Sequence, residues 1–491
     1  MGTGILCSYH STMKIRFLAA ALAVALAFPI YPEGLPDLGD SSESTLSLAQ
    51  ERAIGIGIMR EVHSDSSYVD DPELSAYINS LGARLVANCP DPSRDFEFFV
   101  VQDSSINAFA LPGGKVGMNT GTILAAQNES ELAGVLSHEI SHVTQRHIAR
   151  MLAGQKQTML ASLAAIAVAI LAARSNSQVA SAALSTAQAT SIQSQLDYTR
   201  EHEQEADRIG VQTLTRAGFD PRGMVTFFER MQRATRAMES NAPSYLRTHP
   251  LTVERIAELQ NRVEKLPTRQ VPDSLDFQLV KAKVRAMTGT PNEATRYFSV
   301  EQTDAALPPS ARLYGAAVAA LRSRDFATAQ RATDQLRKNG VQHPMVESVA
   351  AQIKRQQGDY AKALEIYQAA LRIYPQDRAL FLGSVGTLLD LKRNQEALAA
   401  ISDRLLKQDD DELYELQART YAALGKKLLQ HQAQAEVYYR RGNLMGAMDQ
   451  LQIAKRSGDG DFYQLSSVEA RLNQLRGEMA ALKGKKVSDT Q

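Results

Sequence analysis

The sequence predicts a mainly α protein in two parts, an α+β domain with a small sheet followed by an α-solenoid. Helical segments with apolar residues three or four positions apart occupy most of the chain. Three short strand-like runs lie close together before residue 120. From about residue 272 onward, Ala-rich helical segments recur at regular intervals, which is typical of a repeat array.

The length and charge set bounds on the class of protein. The chain has 491 residues and a formal net charge of zero, which argues against a general nucleic-acid binder. A chain this long exceeds what one hydrophobic core usually organises. We therefore expect one domain at residues 44–266 and a second at residues 272–484.

The N-terminal segment has the order of a secretory signal peptide. Lys14 and Arg16 precede an apolar run that ends in small residues at Ala27, and this run is short for a membrane span. We expect residues 1–27 to be a cleaved signal peptide, with residues 1–12 as an upstream extension. An uncleaved anchor is the alternative.

Cleavage at that point would leave Cys89 as the one cysteine of the mature chain. No internal disulfide is then expected, and we expect Cys89 to be buried.

The first predicted elements are two helices and three strands. One helix runs from about Leu46 to Val62, and Asp71-Pro72 caps and begins the next. Pro112-Gly113-Gly114 forces a turn between the second and third strands. The predicted strands are Phe96–Val101, Ile106–Leu111 and Lys115–Asn119.

The helix after the sheet carries the motif His138-Glu139-Ile140-Ser141-His142, which is H-E-x-x-H. Asn128 is placed to cap this helix, with Glu131 at capping-box spacing. Histidines four residues apart lie on one helix face and can bind one zinc ion, and Glu139 between them can reach the metal's water. Such motifs also arise by chance, so a third ligand is required.

Helical periodicity selects Glu203 as that third ligand. Glu203 and Asp207 share a face with the small residues Ala206 and Gly210, so this face is expected to turn inward. Two histidines and a glutamate leave an open fourth position, as in catalytic zinc sites. Asp207 would accept a hydrogen bond from a ligand imidazole. Glu205, on a polar stripe expected to face water, is a less favoured rival ligand.

The predicted chemistry is peptide hydrolysis by a zinc metalloendopeptidase with one Zn²⁺ per chain. Zinc would lower the pKa of its water from about 16 to about 7. Glu139 would take the proton from that water and pass it to the leaving amine. His147, nine residues after His138, is expected about half a helical circumference away, on the opposite side of the helix, and outside the ligand set. His202 is expected to be solvated.

The apolar run at residues 158–173 is shorter than a typical membrane span. Three interpretations stay open: a core helix, a lid or substrate-facing wall over the site, and a transmembrane segment.

The C-terminal part fits the 34-residue tetratricopeptide pattern. A shift of 34 residues places Phe326 over Tyr360, and the small residues Ala329, Ala363 and Ala397 over one another. We expect helices at 276–287 and 292–298 to open the array and one at 468–482 to close it. Such solenoids present concave binding surfaces without specifying the ligand.

Together these motifs resemble the HtpX-like and CAAX-prenyl-endopeptidase zinc metallopeptidases. The resemblance is carried by His138–His142, by Glu203, Ala206 and Asp207 in an E-x-x-A-D pattern, and by Asn107–Gly114. With the signal peptide and repeats, the chain is most similar to periplasmic members that enhance β-barrel assembly. The resemblance implies a gluzincin-type fold and a periplasmic location.

The resemblance also implies substrates and partners. The clients would be unfolded or misassembled outer-membrane proteins, which are degraded or assisted, and the repeats would dock on the β-barrel assembly machinery. Apart from the resemblance, the apolar composition of residues 158–173 makes peripheral membrane contact one possible role of that run. An edge strand formed by Asn107, Ala108, Phe109 and Ala110 would pair with the substrate backbone.

His249 and Arg255 form an H-P-x-x-x-x-R pattern that is also similar to this family's. Either residue could stabilise the oxyanion, and His249 could instead occupy the fourth zinc position and hold the enzyme latent. A structural role at a helix entry is the third alternative for His249. A chaperone or scaffold that acts mainly through its repeats is the alternative to a peptidase.

Overall fold

A computed structural model describes residues 46–92, 95–153, 199–236, 244–267, 269–299, 307–408 and 410–488. The predicted signal peptide at 1–27 and the apolar run at 158–173 lie outside these residues. Among the described helices, none is long and apolar enough to cross a membrane.

The fold is mainly α with one small sheet, as predicted. The first part of the chain forms α1 (Leu48–Ser64), α2 (Pro72–Val86), β1 (Glu97–Val101), β2 (Ala108–Leu111), β3 (Lys115–Asn119), α3 (Thr120–Ala125), α4 (Glu129–Thr144), α5 (His147–Ala153), α6 (Arg200–Arg216), α7 (Arg222–Arg236), α8 (Ser244–Thr248) and α9 (Val253–Val263). The second part forms α10 (Leu275–Met287), α11 (Pro291–Tyr297), α12 (Pro309–Arg322), α13 (Phe326–Lys338), α14 (Pro344–Gln356), α15 (Tyr360–Ile373), α16 (Arg378–Asp390), α17 (Asn394–Leu405), α18 (Asp411–Ala423), α19 (Lys427–Arg440), α20 (Leu444–Lys455) and α21 (Phe462–Ser488).

The three strands form one sheet in the order β1-β3-β2. β1 runs parallel to β3, and β2 runs antiparallel to β3, with Ala108 opposite Met118. The carbonyl of Asn107 accepts a hydrogen bond from the backbone N–H of Asn119 at 2.9 Å. Because backbone groups alternate in direction along a strand, the amides of Ala108 and Ala110 turn away from β3. β2 is therefore an edge strand with outward-facing amides.

The helix that carries the H-E-x-x-H motif, α4, begins where the sequence predicted. The side chain of Asn128 accepts a hydrogen bond from the N–H of Glu131 at 2.9 Å. The capping box is displaced by one residue, because the Glu131 carboxylate accepts from the N–H of Gln127, at 2.7 Å, rather than from that of Asn128. Every residue of α4 is buried, so this helix is the centre of the first domain.

α6 packs very closely against α4. Ala206 is fully buried, and a Cβ added at Gly210 would lie 3.3 Å from the backbone nitrogen of His138. This separation is tighter than ordinary carbon contacts, so a side chain at residue 210 would push the two helices apart. The small residues of α6 thus bring its carboxylates within reach of the α4 histidines.

The repeats follow the predicted 34-residue spacing. The turns before α13, α15 and α17 each contain a residue in the left-handed conformation, with φ of 58° at Arg324, 82° at Gly358 and 61° at Lys392. The small residues that the 34-residue shift places over one another, Ala329, Ala363 and Ala397, are all fully buried. Cys89 is also buried, as predicted.

A buried ion cluster joins the first domain to the repeats. The ammonium of Lys283, on α10, lies 2.6 Å from a carboxylate oxygen of Asp71 and 2.6 Å from one of Glu73, both at the start of α2. The hydroxyl of Tyr314, on α12, lies 3.3 Å from Glu73. Charges withdrawn from water in this way depend on their partners.

The N-terminus of α4 is also tied to the residues that lead into the repeats. The N–H of Glu129 donates to Asp273 at 2.7 Å, and the carboxylate of Glu129 accepts from the N–H and hydroxyl of Ser274 at 3.0 and 2.8 Å. The hydroxyl of Tyr77 donates to the same carboxylate at 3.0 Å. The helix that carries the motif is thus capped from across the domain junction.

Replacing Lys283 with alanine should destabilise the folded chain. The change leaves the buried carboxylate of Glu73 and the partly buried carboxylate of Asp71 without their cation, and breaking a buried ion pair in this way typically costs about 3–5 kcal/mol. The free energy of unfolding, measured by urea denaturation, should fall by about that amount. Lys362→Ala is the control, because the ion pair of Lys362 with Glu365 is exposed and screened by solvent, so its loss should barely change the free energy of unfolding. Equal effects of the two substitutions would contradict the role assigned to Lys283.

Candidate metal centre

His138 and His142 lie one turn apart on α4 and point their rings to the same place. Their Nε2 atoms are 3.0 Å apart. Both rings are almost completely buried, with exposures of 0% and 1%. The helix geometry places residues i and i+4 on one face, so the close approach of these two nitrogens follows from the spacing of the motif.

Glu203 reaches the same point from α6. Its carboxylate oxygens lie 3.4 Å from Nε2 of His138 and 3.5 Å from Nε2 of His142. Nδ1 of His249, which follows α8, lies 2.9 Å from Oε1 of Glu203. The structure therefore brings together the three predicted ligands and His249, each from a different turn or helix.

The geometry of this group fits a tetrahedral cation. One ligand atom from each of the four residues lies within 4.8 Å of the others. Ligands about 2.0–2.1 Å from a tetrahedral zinc ion are separated by about 3.3 Å, which is close to the separations found between His138, His142 and Glu203.

The charges around the cluster also fit a divalent cation. Glu139, Glu203 and Asp207 are buried, and among the described residues Arg255 is the buried cation that faces them. With neutral imidazoles, three carboxylates and one guanidinium leave two formal negative charges. A divalent cation would balance them.

The pKa shifts of the site residues arise from burial and from contacts among the same charged groups. Burial opposes a charge on His138, but its contacts with Asp207 and Glu203 outweigh burial and raise its pKa to about 9. For His142, burial lowers the pKa well below its usual range. Burial would raise the pKa of Glu203, but His249 and His138 hold it well below its usual range. The carboxylates thus favour positive charge at the ring of His138, where a metal cation would replace the proton.

Asp207 lies behind His138, one turn after Glu203. Its Oδ1 is 3.1 Å from Nδ1 of His138, the position from which a carboxylate orients a metal-binding imidazole. Arg255, on α9, donates to both oxygens of Asp207 at 2.8 Å each, and its third nitrogen lies 2.7 Å from Oε2 of Glu203. Because all three nitrogens are engaged, the arrangement favours a positioning role for Arg255 over an oxyanion role.

Glu139 occupies a different environment from the other carboxylates. It is fully buried, and no side chain of the described residues donates a hydrogen bond to either carboxylate oxygen. Its nearest ionic neighbour is Nε2 of His249, at 3.6 Å. Burial raises the pKa of Glu139, while the nearby backbone N–H of Ala110 acts in the opposite direction. Glu139 therefore faces the edge strand β2 and has no side-chain donor among the described residues.

Tyr245 is a residue of the site that was not predicted from the sequence. Its ring stacks on that of His249, with centroids 4.7 Å apart, and its backbone N–H donates to the carbonyl of Ile106 at 3.2 Å. Tyr245 therefore links His249 to the chain that enters β2. The sequence signal was its position four residues before His249, on the same face of a short helix.

The prediction that His147 lies on the far side of the α4 helix is wrong. α4 ends at Thr144, and His147 starts α5 with Nδ1 2.9 Å from Nδ1 of His142. Glu205, predicted to face water, is partly buried and lies 3.1 Å from Nε2 of His147. His202, predicted to be solvated, is partly buried and stacks on His147. Burial lowers the pKa of His147 to about 4.

Known proteins are similar to this chain in both of its parts. The model of Peptidase family M48 matches residues 72–263, and a tetratricopeptide repeat model matches residues 354–420. The beta-barrel assembly-enhancing protease of Escherichia coli (strain K12) is 34% identical over 471 residues, which span 94% of this chain and 96% of that protein. The chain belongs to peptidase family M48. It is a metallopeptidase with C-terminal repeats, as the motifs predicted.

Other relatives match parts of the chain. The beta-barrel assembly-enhancing protease of Yersinia pestis is 40% identical over 257 residues, which span 52% of each protein. The mitochondrial metalloendopeptidase OMA1 of Schizosaccharomyces pombe is 32% identical over 195 residues, which span 40% of this chain and 54% of that protein.

Replacing Glu203 with glutamine should reduce metal binding. The substitution removes the ligand charge, so the loss of affinity should exceed the roughly 10–100-fold that is typical of a residue that only orients a ligand. Metal content after dialysis can be measured by elemental analysis, with circular dichroism to establish that the protein is folded. Glu201→Gln is the control, because Glu201 is exposed on the same helix. A folded Glu203→Gln protein with full metal content would contradict the assignment.

Proposed function

We propose that the chain is a periplasmic, zinc-dependent endopeptidase that degrades misfolded or stalled outer-membrane β-barrel proteins and aids their assembly. The observation that carries the proposal is the convergence of His138, His142 and Glu203 beside a buried Glu139 to which no side chain of the described residues donates a hydrogen bond. The names of the relatives from Escherichia coli and Yersinia pestis support the connection to β-barrel assembly.

Zinc is the metal that best suits this donor set. Two imidazole nitrogens, one carboxylate and a fourth position form the pattern of catalytic zinc sites. We assign His138, His142 and Glu203 as its ligands. Asp207 holds the ring of His138, and Arg255 holds Asp207 and Glu203 in turn. This support keeps the ligand atoms converged on one point.

Bound zinc would supply a Lewis acid that acidifies water and polarises the scissile carbonyl. Glu139 takes a proton from the attacking water and passes it to the leaving amine. Because burial raises the pKa of Glu139, its carboxyl group can hold that proton between the two transfers. The buried surroundings of the site exclude competing water from the charged groups.

The edge strand β2 gives the substrate a place beside Glu139. An extended chain that pairs with β2 would meet the outward-facing amides of Ala108 and Ala110, in the mode known as β-augmentation. Asn107 and Phe109 would flank the bound chain. Pairing through backbone atoms accepts many sequences but requires an extended segment, which suits unfolded or misassembled clients.

The repeats offer a docking surface for the β-barrel assembly machinery. A groove of about 780 Å³ lies between the start of α2 and the repeat helices. Its lining mixes aromatic, basic and acidic side chains, so it offers charged groups of both signs to a partner protein. Those side chains include Tyr360, Tyr367, Arg355 and Arg419. The signal-peptide pattern at residues 1–27 supports a periplasmic location, and membrane contact through residues 158–173 stays a prediction.

Replacing Glu139 with glutamine should abolish proteolysis and retain the metal. The amide has nearly the same shape but cannot accept the proton, so kcat should fall by about 10²–10⁴-fold. Cleavage of an unfolded outer-membrane protein by the purified variant measures the effect, and elemental analysis measures the metal. Undiminished cleavage would refute the mechanism.

The same variant separates the peptidase from the scaffold alternative. If the main role is that of a scaffold, cells that produce Glu139→Gln should assemble outer-membrane proteins as well as cells that produce the wild type. If proteolysis is the main role, stalled clients should accumulate in the variant cells.

We propose that His249 holds the resting enzyme latent by occupying the fourth zinc position. Its ring lies within reach of both Glu203, a proposed ligand, and Glu139, the proposed base. His249→Ala should then raise the rate of proteolysis by the purified protein. Unchanged or lower proteolysis would contradict latency. A decrease would favour the oxyanion role, and a change in thermal stability alone would favour a structural role at the helix entry.

A further inference from the structure

A line of hydrogen-bonding side chains leads from His142 away from the metal cluster. Nδ1 of His142 lies 2.9 Å from Nδ1 of His147, and Nε2 of His147 lies 3.1 Å from Oε2 of Glu205. Arg150 donates to the same oxygen of Glu205 at 2.8 Å. His147, Glu205 and Arg150 lie outside the cluster of four residues that can hold the metal.

The two metal-binding histidines thus have different partners on their outer nitrogens. His138 faces the carboxylate of Asp207 directly. His142 faces an imidazole, and the carboxylate of Glu205 lies one residue further out. In both cases the hydrogen-bonding groups behind the ligand histidine end at a carboxylate that an arginine holds. The arginine is Arg255 for Asp207 and Arg150 for Glu205.

The donor and acceptor roles along this series of hydrogen bonds are fixed at both ends. If Nε2 of His142 binds the metal, its Nδ1 carries the hydrogen and donates it to Nδ1 of His147. His147 then carries its own hydrogen on Nε2 and donates it to Glu205, which can only accept. Glu205 therefore selects the tautomer of His147, and His147 selects the tautomer of His142 that presents a bare Nε2 to the metal.

The end of α4 allows the contact between His147 and His142. Arg146 has φ of 53°, in the left-handed region that non-glycine residues rarely adopt. Its guanidinium is held by Glu51, at 3.0 and 2.7 Å, and by the carbonyl of Leu46. The reversal at Arg146 ends α4 and turns His147 back towards His142. His202 then stacks on the other side of His147, with centroids 4.5 Å apart.

We propose that His147 and Glu205 are positioning residues that fix the ring orientation and tautomer of the zinc ligand His142. The proposal rests on the assignment of His142 as a ligand under the proposed function. It assigns a role to two residues outside the ligand set, and it accounts for the unfavourable conformation of Arg146 at the end of α4.

The test is the zinc affinity of the full-length protein, measured by competition with a chelator. His147→Ala should weaken zinc binding by about 10–100-fold, the usual effect of losing a partner of a ligand histidine. His147→Asn places an amide oxygen near the position of Nδ1 and should retain most of the affinity. His147→Gln places its amide near Nε2, leaves Nδ1 of His142 without an acceptor and should bind zinc as weakly as His147→Ala.

This pair of substitutions distinguishes positioning from packing. Asparagine and glutamine are both polar replacements, so a purely structural role would give affinities that follow the thermal stability of the metal-free variants. Such a correlation, or an unchanged affinity in His147→Ala, would overturn the proposal. Recovery by asparagine but not by glutamine would support it.

Glu205 gives an independent arm of the experiment. Glu205→Ala should weaken zinc binding, whereas Glu201→Ala, which removes an exposed carboxylate from the preceding turn of α6, should leave it unchanged. Equal effects would reduce the role of Glu205 to general electrostatics and overturn its assignment. Absence of zinc from the wild-type protein would instead refute the proposed function, so the two failures are distinguishable.

Discussion

The buried pairing of Arg255 with Asp207 and Glu203 is the interaction on which the site depends. A carboxylate withdrawn from water costs several kcal/mol unless a partner compensates it. The planar guanidinium contacts both carboxylates at once, which a lysine could not do with the same geometry. This requirement fixes the position of α9 against α6, and the small residue Gly210 then allows α6 to reach α4.

Much of this arrangement could be predicted from local sequence signals. The bounds of β3 and the cap at Asn128 are encoded within a few residues, so the predicted and observed elements agree closely. Helical periodicity was enough to turn Glu203 and Asp207 inward, because small residues on the same face allow a neighbouring helix to pack over the carboxylates. The repeat period emerged from the spacing of small residues such as Ala363.

The features that could not be predicted depend on contacts between distant residues or on unusual backbone conformations. Nothing local marks Arg146 as the end of α4, because its left-handed conformation is stabilised by Glu51 nearly a hundred residues earlier. A helix that continued past this residue would carry His147 to its far side, as the spacing alone predicts. The ion pairs of Lys283 with Asp71 and Glu73 likewise form only when the two domains pack together.

The hydrogen bonds of Glu129 with Asp273 and Ser274 also bear on how the protein can be divided for experiments. The sequence suggests a cut near residue 268, in the segment between the two domains. An expression product that ends there would keep every proposed ligand and the cap at Asn128 but lose Asp273 and Ser274, the partners of Glu129 in the first turn of the ligand-bearing helix. Fragments meant to report on the intact active site should therefore extend at least through α10, so that the helix keeps its native N-terminal partners.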